Sequence, residues 1–242
     1  MVLLAHGGQE ASRADPHDWR APLLRMWPFA AAARSAAPGA AVGLIRYRYR
    51  GWNGEHAHAA ADLAAVLDSL PDGYQRVALI GHSMGGRAVL RVGAHDRVTA
   101  VLGLAPWVEK ADALVDLPGR VVVLAHGDRD RITSPKATAR YAARLRSAGN
   151  SVAHLTVAGE GHALLRRHGD WDELVRRFVA LAFGRGDGFL GDVLSSDPGR
   201  PADPLPRWST ARGSARGVTR IARARLHLPV LTTVGMVEPR PT

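Results

Sequence analysis

The sequence predicts an α/β fold, in which a mostly parallel central sheet of about six strands is flanked by helices. Short apolar runs alternate along the chain with longer segments of helical periodicity, as in folds that place helices on both faces of a parallel sheet. Several of these runs end in glycine and polar residues, which are typical of the carboxyl edge where open α/β sheets bind ligands. With 242 residues, of which 46% are hydrophobic, the chain is long enough to bury a sizeable core.

Each predicted element follows from this alternation. The predicted strands are, in chain order, Val2–Ala5, Ala41–Tyr49, Arg76–Ile80, Val98–Leu104, Arg120–Ala125 and Val152–Val157. The predicted helices lie near Arg20–Ala37, Glu55–Leu70, Met84–Ala94, Pro135–Ala148 and Asp170–Phe183. In the second strand the run RYRYR, residues 46–50, puts three arginines on one face. We therefore expect an edge strand there, or a strand end that protrudes from the sheet.

The composition changes after Phe183. Residues 186–242 are rich in glycine, proline and arginine. Such a composition predicts a basic, flexible and disordered C-terminal tail that follows an α/β domain of residues 1–185. We therefore expect a chain shortened after about Gly186 to fold and keep its activity.

Composition argues against several classes of function. The formal net charge is +10, but the arginines are scattered along the chain instead of forming a block, so we expect no nucleic-acid partner. No apolar run reaches the roughly 18 residues of a transmembrane segment, and the N-terminus lacks the basic region of a signal peptide, which predicts a cytoplasmic protein. Cysteine is absent and the histidines show no metal-ligand spacing, so we expect no metal site.

A serine between glycines follows the third predicted strand. The segment Gly81-His82-Ser83-Met84-Gly85 matches the pattern G-x-S-x-G, with an apolar strand before it and a helix after it. Small residues at Gly86 and Ala88 stand where the helix must pass close to neighbouring strands. Such a turn holds a serine in a strained conformation and points the positive end of the next helix at the reaction centre. We therefore predict that Ser83 is a nucleophile and not part of a plain glycine-rich turn.

The loops after two later strands offer the serine a base and a carboxylate. A serine hydroxyl needs a base to take its proton, and an imidazole base needs a partner that fixes its tautomer. His162 ends the segment Gly-Glu-Gly-His after the last predicted strand, and Asp128 and Asp130 follow the strand before it. Both loops lie at the same sheet edge as Ser83, and from the residues alone either aspartate is a candidate.

The first predicted strand ends in His6-Gly7-Gly8. Backbone N–H groups in such a turn can stabilise the oxyanion of a tetrahedral intermediate, together with the N–H of Met84. Loss of one such donor typically costs about 2.7–4 kcal/mol of transition-state stabilisation. We expect His6 to orient this loop, and His82 and His126 to pack and hydrogen-bond inside their own turns.

Four motifs together resemble those of the α/β-hydrolase superfamily. They are LLAHGG, IGHSMGG, VLAHGDRDRITSP and GEGH, in this order, over roughly residues 1–183. The resemblance implies the α/β-hydrolase fold and a serine hydrolase that needs no cofactor. It implies Ser83 as nucleophile, His162 as base, and oxyanion donors at Gly8 and Met84.

The same resemblance implies which carboxylate supports the base. The family's spacing, a glycine followed three residues later by an aspartate and then by a proline, selects Asp130 when it is counted from Gly127 toward Pro135. Asp128 is then a structural or capping residue. Glu109 is a remote third choice, because some relatives carry their acid after the preceding strand.

Compared with many family members, the chain has no room for a helical cap domain. Only about 15 residues separate Leu104 from Arg120. We expect an open site in which Trp52 and Trp107 form apolar walls, although both side chains can equally serve in packing.

The sequence thus predicts a hydrolase of a small-molecule carboxylic ester or thioester, with an acyl-enzyme formed on Ser83. One alternative is a lipase or a peptidase-like hydrolase that uses the same three residues. Another is a non-catalytic binding protein with the same fold.

Overall fold

Nine strands form one sheet in the computed structural model, which describes residues 1–16, 21–209, 230–232 and 235–236. In chain order the strands are β1 (Val2–Ala5), β2 (Val42–Arg46), β3 (Val77–His82), β4 (Val98–Leu104), β5 (Val121–Gly127), β6 (Val152–Val157), β7 (Asp203–Pro204), β8 (Val230–Thr232) and β9 (Gly235–Met236). Across the sheet their order is β7-β6-β5-β4-β3-β1-β2-β8-β9, and only β8 and β9 pair antiparallel. The predicted fold class is confirmed, and all six predicted strands are present.

Seven helices in the described part of the chain cover the two faces of the sheet. They are α1 (Ala21–Leu24), α2 (Met26–Ala36), α3 (His58–Ser69), α4 (Met84–Val92), α5 (Pro135–Ser147), α6 (His168–Ala182) and α7 (Gly188–Val193). Side chains of α2, α6 and α7 share one hydrophobic layer, and those of α3, α4 and α5 share the other. Strand β1 serves both layers, because Leu4 points to the first and Leu3 to the second. None of these helices has the length and hydropathy of a membrane span.

The alternating RYRYR run leaves the sheet instead of forming its edge. Strand β2 ends at Arg46 and is paired on both sides, with β1 and with β8. The next side chain, Tyr47, is buried and its ring lies 4.5 Å from that of His6. The Nε of Arg48 donates to the buried carboxylate of Asp62 at 2.6 Å. Neither expectation holds: β2 is not an edge strand, and it ends at the first arginine, after which Tyr47 turns inward and Arg48 is bonded to α3.

The first part of the predicted tail folds onto the domain. Leu190, Val193 and Leu205 are buried in the layer formed by α2 and α6. The ring of Trp208 packs edge-on against Phe189, with ring centroids 5.3 Å apart. The predicted boundary at residue 185 therefore falls inside packed structure, and three short strands raise the sheet from about six strands to nine. The other residues of the predicted tail, 210–229, 233–234 and 237–242, lie outside the described residues.

Candidate active site

Ser83 lies on the sharp turn between β3 and α4. Its backbone has φ 56° and ψ −118°, a region that side-chain-bearing residues rarely adopt. Its N–H donates to the carbonyl of Leu104 at 3.1 Å, and its carbonyl accepts from the N–H groups of Trp107 at 3.0 Å and Arg87 at 3.2 Å. These three hydrogen bonds hold the strained peptide in place, as the predicted nucleophile turn requires.

Glycines make this turn sterically possible. A Cβ added to Gly81 would overlap the backbone of Gly85, and a Cβ on Gly85 would overlap the carbonyl of Ala5. A Cβ on Gly86 would lie 2.8 Å from the Cβ of Pro106. The N-terminus of α4 can therefore pass this close to β1 and to the loop after β4 only without side chains at these positions.

His162 links the serine to one aspartate. Its Nε2 lies 3.0 Å from the Oγ of Ser83, and its Nδ1 lies 2.7 Å from Oδ2 of Asp130. The other two candidate carboxylates are engaged elsewhere. Asp128 accepts from the N–H of Gly159 at 2.7 Å, and Glu109 pairs with a guanidinium on α4. The distances are those of a hydroxyl nucleophile, a base and a group that orients the base.

Asp130 is buried and surrounded by donors. Its Oδ1 accepts from the N–H groups of Ile132 at 2.8 Å and Thr133 at 3.0 Å. Burial by itself would raise the pKa of Asp130, but hydrogen bonds from His126, His162 and these two amides hold it well below the usual range. The carboxylate is therefore ionised at neutral pH and can stabilise a positive charge on the facing imidazole.

His82 contacts His162 from the other side, so its hydrogen bond reaches another loop instead of staying inside its own turn as expected from the sequence. Its Nε2 lies 3.0 Å from the carbonyl oxygen of His162, and the two rings are 4.8 Å apart. Burial, and then the nearby His162, lowers the pKa of His82 well below its ordinary value. A neutral His82 ring with its proton on Nε2 donates to the carbonyl of His162 and thereby holds the loop that carries His162.

The loop after β1 lies against the serine. A Cβ on Gly7 would be 3.3 Å from the Cβ of Ser83, and a Cβ on Gly8 would overlap the side chain of Met84. His6 holds this loop through its Nδ1, which lies 2.7 Å from the carbonyl of Gly7. Met84 is the first residue of α4, and the first amides of a helix have no partner within it. That Gly8 and Met84 donate to an oxyanion stays a prediction.

A cavity of about 630 Å³ adjoins this arrangement along the outer face of α4. Trp52, Trp107 and Tyr141 form aromatic walls, and Glu10 lines it two residues after Gly8. Ser83 lies outside the lining, but the amide of Trp107 is bonded to its carbonyl. The volume lies within the about 300–1,000 Å³ usual for small-molecule sites.

Both predicted wall residues also pack around a buried cation. The guanidinium carbon of Arg87 lies 4.4 Å from the ring centre of Trp52 and 4.5 Å from that of Trp107. The same guanidinium pairs with Asp112 and, at 3.0 Å, with Glu109. Trp52 and Trp107 therefore line the cavity and hold Arg87 at once, so the two expectations from the sequence are compatible.

The sequence of this chain matches the model of a known protein family. The profile described as the alpha/beta hydrolase family covers residues 2–237. This chain belongs to that family. The resemblance inferred from the four motifs is thereby confirmed, and no curated protein matches the chain.

Three solved structures are similar to this hydrolase fold. A putative alpha/beta hydrolase from Agrobacterium tumefaciens has 16% identity and a TM-score of 0.58, over 80% of this chain and 87% of that one. Est1E from Butyrivibrio proteoclasticus, with ferulic acid bound, has 16% identity and a TM-score of 0.54, over 75% and 88%. An alpha-beta serine hydrolase homologue from Coxiella burnetii has 19% identity and a TM-score of 0.53, over 73% and 83%. Identities this low show a shared fold alone.

Two side chains contact Asp130 that the sequence did not assign to this carboxylate. His126, expected to pack and hydrogen-bond inside its turn, does so on the carboxylate that faces His162, with its Nε2 3.1 Å from Oδ2 of Asp130. The hydroxyl of Thr133 donates to the same oxygen at 2.9 Å. The only advance signal is spacing, because His126 and Asp130 are separated by four residues across a tight turn.

Proposed function

We propose that this chain is a serine hydrolase that cleaves a carboxylic ester or thioester through an acyl-enzyme on Ser83. The observation that carries the proposal is the position of one imidazole between a hydroxyl and a carboxylate. His162 lies 3.0 Å from Ser83 through Nε2 and 2.7 Å from Asp130 through Nδ1. An ionised Asp130 requires the proton on Nδ1, which leaves Nε2 as the acceptor for the serine proton.

In the proposed reaction Ser83 Oγ attacks the carbonyl carbon while His162 takes the hydroxyl proton. Asp130 stabilises the resulting imidazolium, and the N–H groups of Gly8 and Met84 stabilise the oxyanion. The tetrahedral intermediate collapses, the leaving alkoxide or thiolate receives the proton from His162, and the acyl group stays on Ser83. Water then attacks the acyl-enzyme while His162 takes its proton. The second tetrahedral intermediate collapses, the carboxylic acid is released, and His162 returns the proton to Ser83.

The substrate proposed is a small molecule that reaches the serine from an open side. The loop between β4 and β5 is short, and its residues Trp107 and Val108 form part of the cavity wall instead of a cap. The cavity is linked to Ser83 through Trp107, and it offers both aromatic surface and charged groups to one end of such a substrate. No step of the mechanism calls for a metal or a cofactor.

The test is covalent labelling followed by an activity screen. A fluorophosphonate probe is expected to label the folded protein, and Ser83→Ala is expected to abolish the labelling. Ser69→Ala, on a helix away from the site, is the matched control and should label like the parent. A panel of p-nitrophenyl esters, acyl thioesters, emulsified triglycerides and aminoacyl anilides then separates the esterase from a lipase or a peptidase-like enzyme.

A non-catalytic binding protein with this fold predicts the opposite result. Folded protein that neither reacts with the probe nor hydrolyses any ester or thioester of the panel would overturn the proposal. Binding of a small ester without turnover, measured by calorimetry on the same sample, would then favour the binding protein.

A further inference from the structure

A second imidazole contacts the carboxylate that faces the base. Nε2 of His126 lies 3.1 Å from Oδ2 of Asp130, the same oxygen that Nδ1 of His162 approaches to 2.7 Å. His126 stands near the end of β5 and is 2% exposed. The proposed mechanism assigns no role to His126. A buried polar side chain lowers the stability of the fold unless its polar atoms are hydrogen-bonded, so its partners need an explanation.

Oδ2 of Asp130 is shared among three donors. Besides the two imidazoles, the hydroxyl of Thr133 donates to it at 2.9 Å. Each hydrogen bond draws negative charge from the oxygen, so less of that charge acts on His162. The two backbone amides hold only Oδ1. The position of Oδ2, and with it the rotation of the carboxylate, is therefore set by the bonds to Oδ2.

The other nitrogen of His126 determines where its proton lies. Nδ1 of His126 lies 2.8 Å from the Oγ1 of Thr138, which is fully buried in the first turn of α5. An ionised carboxylate only accepts hydrogen bonds, so Nε2 of His126 must carry a proton. In the neutral ring Nδ1 is then an acceptor, and the hydroxyl of Thr138 is its donor.

The charged and titratable groups around the two rings are few among the described residues. Asp130, His162 and His154 act on His126, and His154 stands on the neighbouring strand β6. Burial first, then Arg146 and His126, lower the pKa of His154 to about 4, so it is neutral at pH 7. His162 is faced by Asp130 and by neutral His82.

We propose that His126 is a positioning residue of the hydrolase. Thr138 sets its tautomer, and its Nε2–H holds Oδ2 of Asp130 in line with His162 and takes part of the negative charge of that oxygen. The inference rests on the proposed function, because Asp130 and His162 are given their roles there. His126 itself touches no reacting atom.

Removal of the Nε2–H of His126 should have two effects that are not expected if His126 only fills space. The carboxylate becomes freer to rotate, so kcat falls while KM changes little. The charge on Oδ2 becomes more concentrated, so it stabilises a protonated His162 more strongly. The base then stays protonated to higher pH, and the acid limb of the kcat/KM profile moves upward in pH.

The experiment compares two substitutions of similar size. In His126→Gln the amide N–H can replace Nε2–H and the amide oxygen can accept from Thr138, whereas His126→Leu offers neither. For His126→Leu we expect kcat lower by about tenfold to a hundredfold, the usual effect of a buried hydrogen bond to a charged group. His126→Gln should recover most of that loss and return the acid limb toward the parent position.

Thr138 supplies the second, milder pair of variants. Thr138→Val keeps the shape of the side chain and removes the hydroxyl, so it should move kcat and the acid limb in the same directions as His126→Leu but less. Thr138→Ser should restore both. Equal losses in His126→Gln and His126→Leu, with an unmoved acid limb, would show that His126 only fills space.

A spectroscopic measurement keeps the inference testable without any substrate. Nitrogen-15 NMR of the imidazoles, assigned by the signals lost in His126→Gln, should show His126 as the Nε2–H tautomer near pH 7. An Nδ1–H or a doubly protonated ring would overturn the role of Thr138. A parent protein that resists the fluorophosphonate would instead count against the proposed function, whatever the tautomer.

Discussion

Nδ1 of His162 lies 2.7 Å from Oδ2 of Asp130, although the two residues are 32 positions apart and follow different strands. A second bond ties the same two loops together, from the N–H of Gly159 to the carboxylate of Asp128 at 2.7 Å. Asp130 thus faces His162, and Asp128 holds the loop that carries it.

Asp130→Asn should abolish most activity, and Asp128→Asn should not. An amide at position 130 no longer offsets an imidazolium and can favour the wrong tautomer of His162, which in serine hydrolases lowers kcat by about 10⁴. Asp128→Asn keeps an acceptor for Gly159 and should stay within a few-fold of the parent. Steady-state kinetics of both variants on one ester measure the difference in kcat. Equal losses of kcat in the two variants would refute the assignment of Asp130 as the residue that supports His162.

Asp130 should also make stability depend on pH in a predictable direction. Burial alone would raise its pKa, but the four hydrogen bonds described above lower it in the folded state. An acid of this kind stabilises the fold above the unfolded pKa of about 3.9, and that contribution is lost as the pH falls toward the lower, folded pKa. The difference in unfolding free energy between the parent and Asp130→Asn, measured in urea, should therefore be larger at pH 7 than at pH 3. A difference that grows on acidification would contradict this sign.

Gly85→Ala should destabilise the protein although alanine is the better helix former. The new methyl group would overlap the carbonyl of Ala5, and backbone on β1 cannot move aside as a flexible side chain can. Overpacking of this kind costs about 1–3 kcal/mol. Gly73→Ala is the matched control, because a Cβ there meets nothing within 4 Å. Urea unfolding of both variants measures the effect, and equal stabilities would show that α4 can shift away from β1.

Trp107→Ala should discriminate among substrates by size. Its ring lines the cavity, as does Arg87, four residues after Ser83. Under the proposed function a long acyl or alcohol group extends into this cavity and an acetyl group does not, so loss of the ring removes contacts with the long group alone. KM should rise for long-chain p-nitrophenyl esters while kcat/KM for the acetate stays near the parent value. A uniform loss for all chain lengths would mean that the ring serves only to hold Arg87.

Truncation after Gly186 should lower stability strongly, contrary to the expectation from composition. It removes the buried side chains of Leu190, Val193 and Leu205, each typically contributing about 1.5–3 kcal/mol. Truncation after Ser209 keeps all three and is the matched comparison. Thermal unfolding should give a clearly lower Tm for the shorter chain, and equal Tm values would show that α7 and β7 contribute nothing.

The sequence predicts the strained turn at Ser83 because the signals for that turn lie in the residues around it. The small residues around Ser83 and the order of the four motifs suffice to place the strained turn at the carboxyl edge of the sheet. The contact of His126 with Asp130 depends on the path of the chain where β5 ends and its loop begins. It also depends on the hydroxyl of Thr138 in the next helix. The spacing of four positions hints at the contact between His126 and Asp130, but no spacing rule encodes the part of Thr138 in a third element.

Two parts of the fold escaped sequence reasoning for physical reasons. The composition of residues 186–242 is averaged over a long segment, and this average conceals the apolar pairs Phe189-Leu190 and Val193-Leu194, which have helical spacing. The RYRYR run satisfies the strand pattern, but β2 ends at Arg46 and the buried Tyr47 packs against His6. Tertiary packing overrides the local pattern in the RYRYR run, whereas in the tail the local pattern is present and only the averaged composition hides it.

The carbonyl of Ser83 accepts from the amide of Trp107, whose ring lies over Arg87 and forms a wall of the cavity. The peptide of Ser83 is therefore bonded directly to a residue that forms the cavity wall. In the proposed enzyme a ligand that displaces this wall would also move the peptide of Ser83, so a single amide would link ligand binding to reaction.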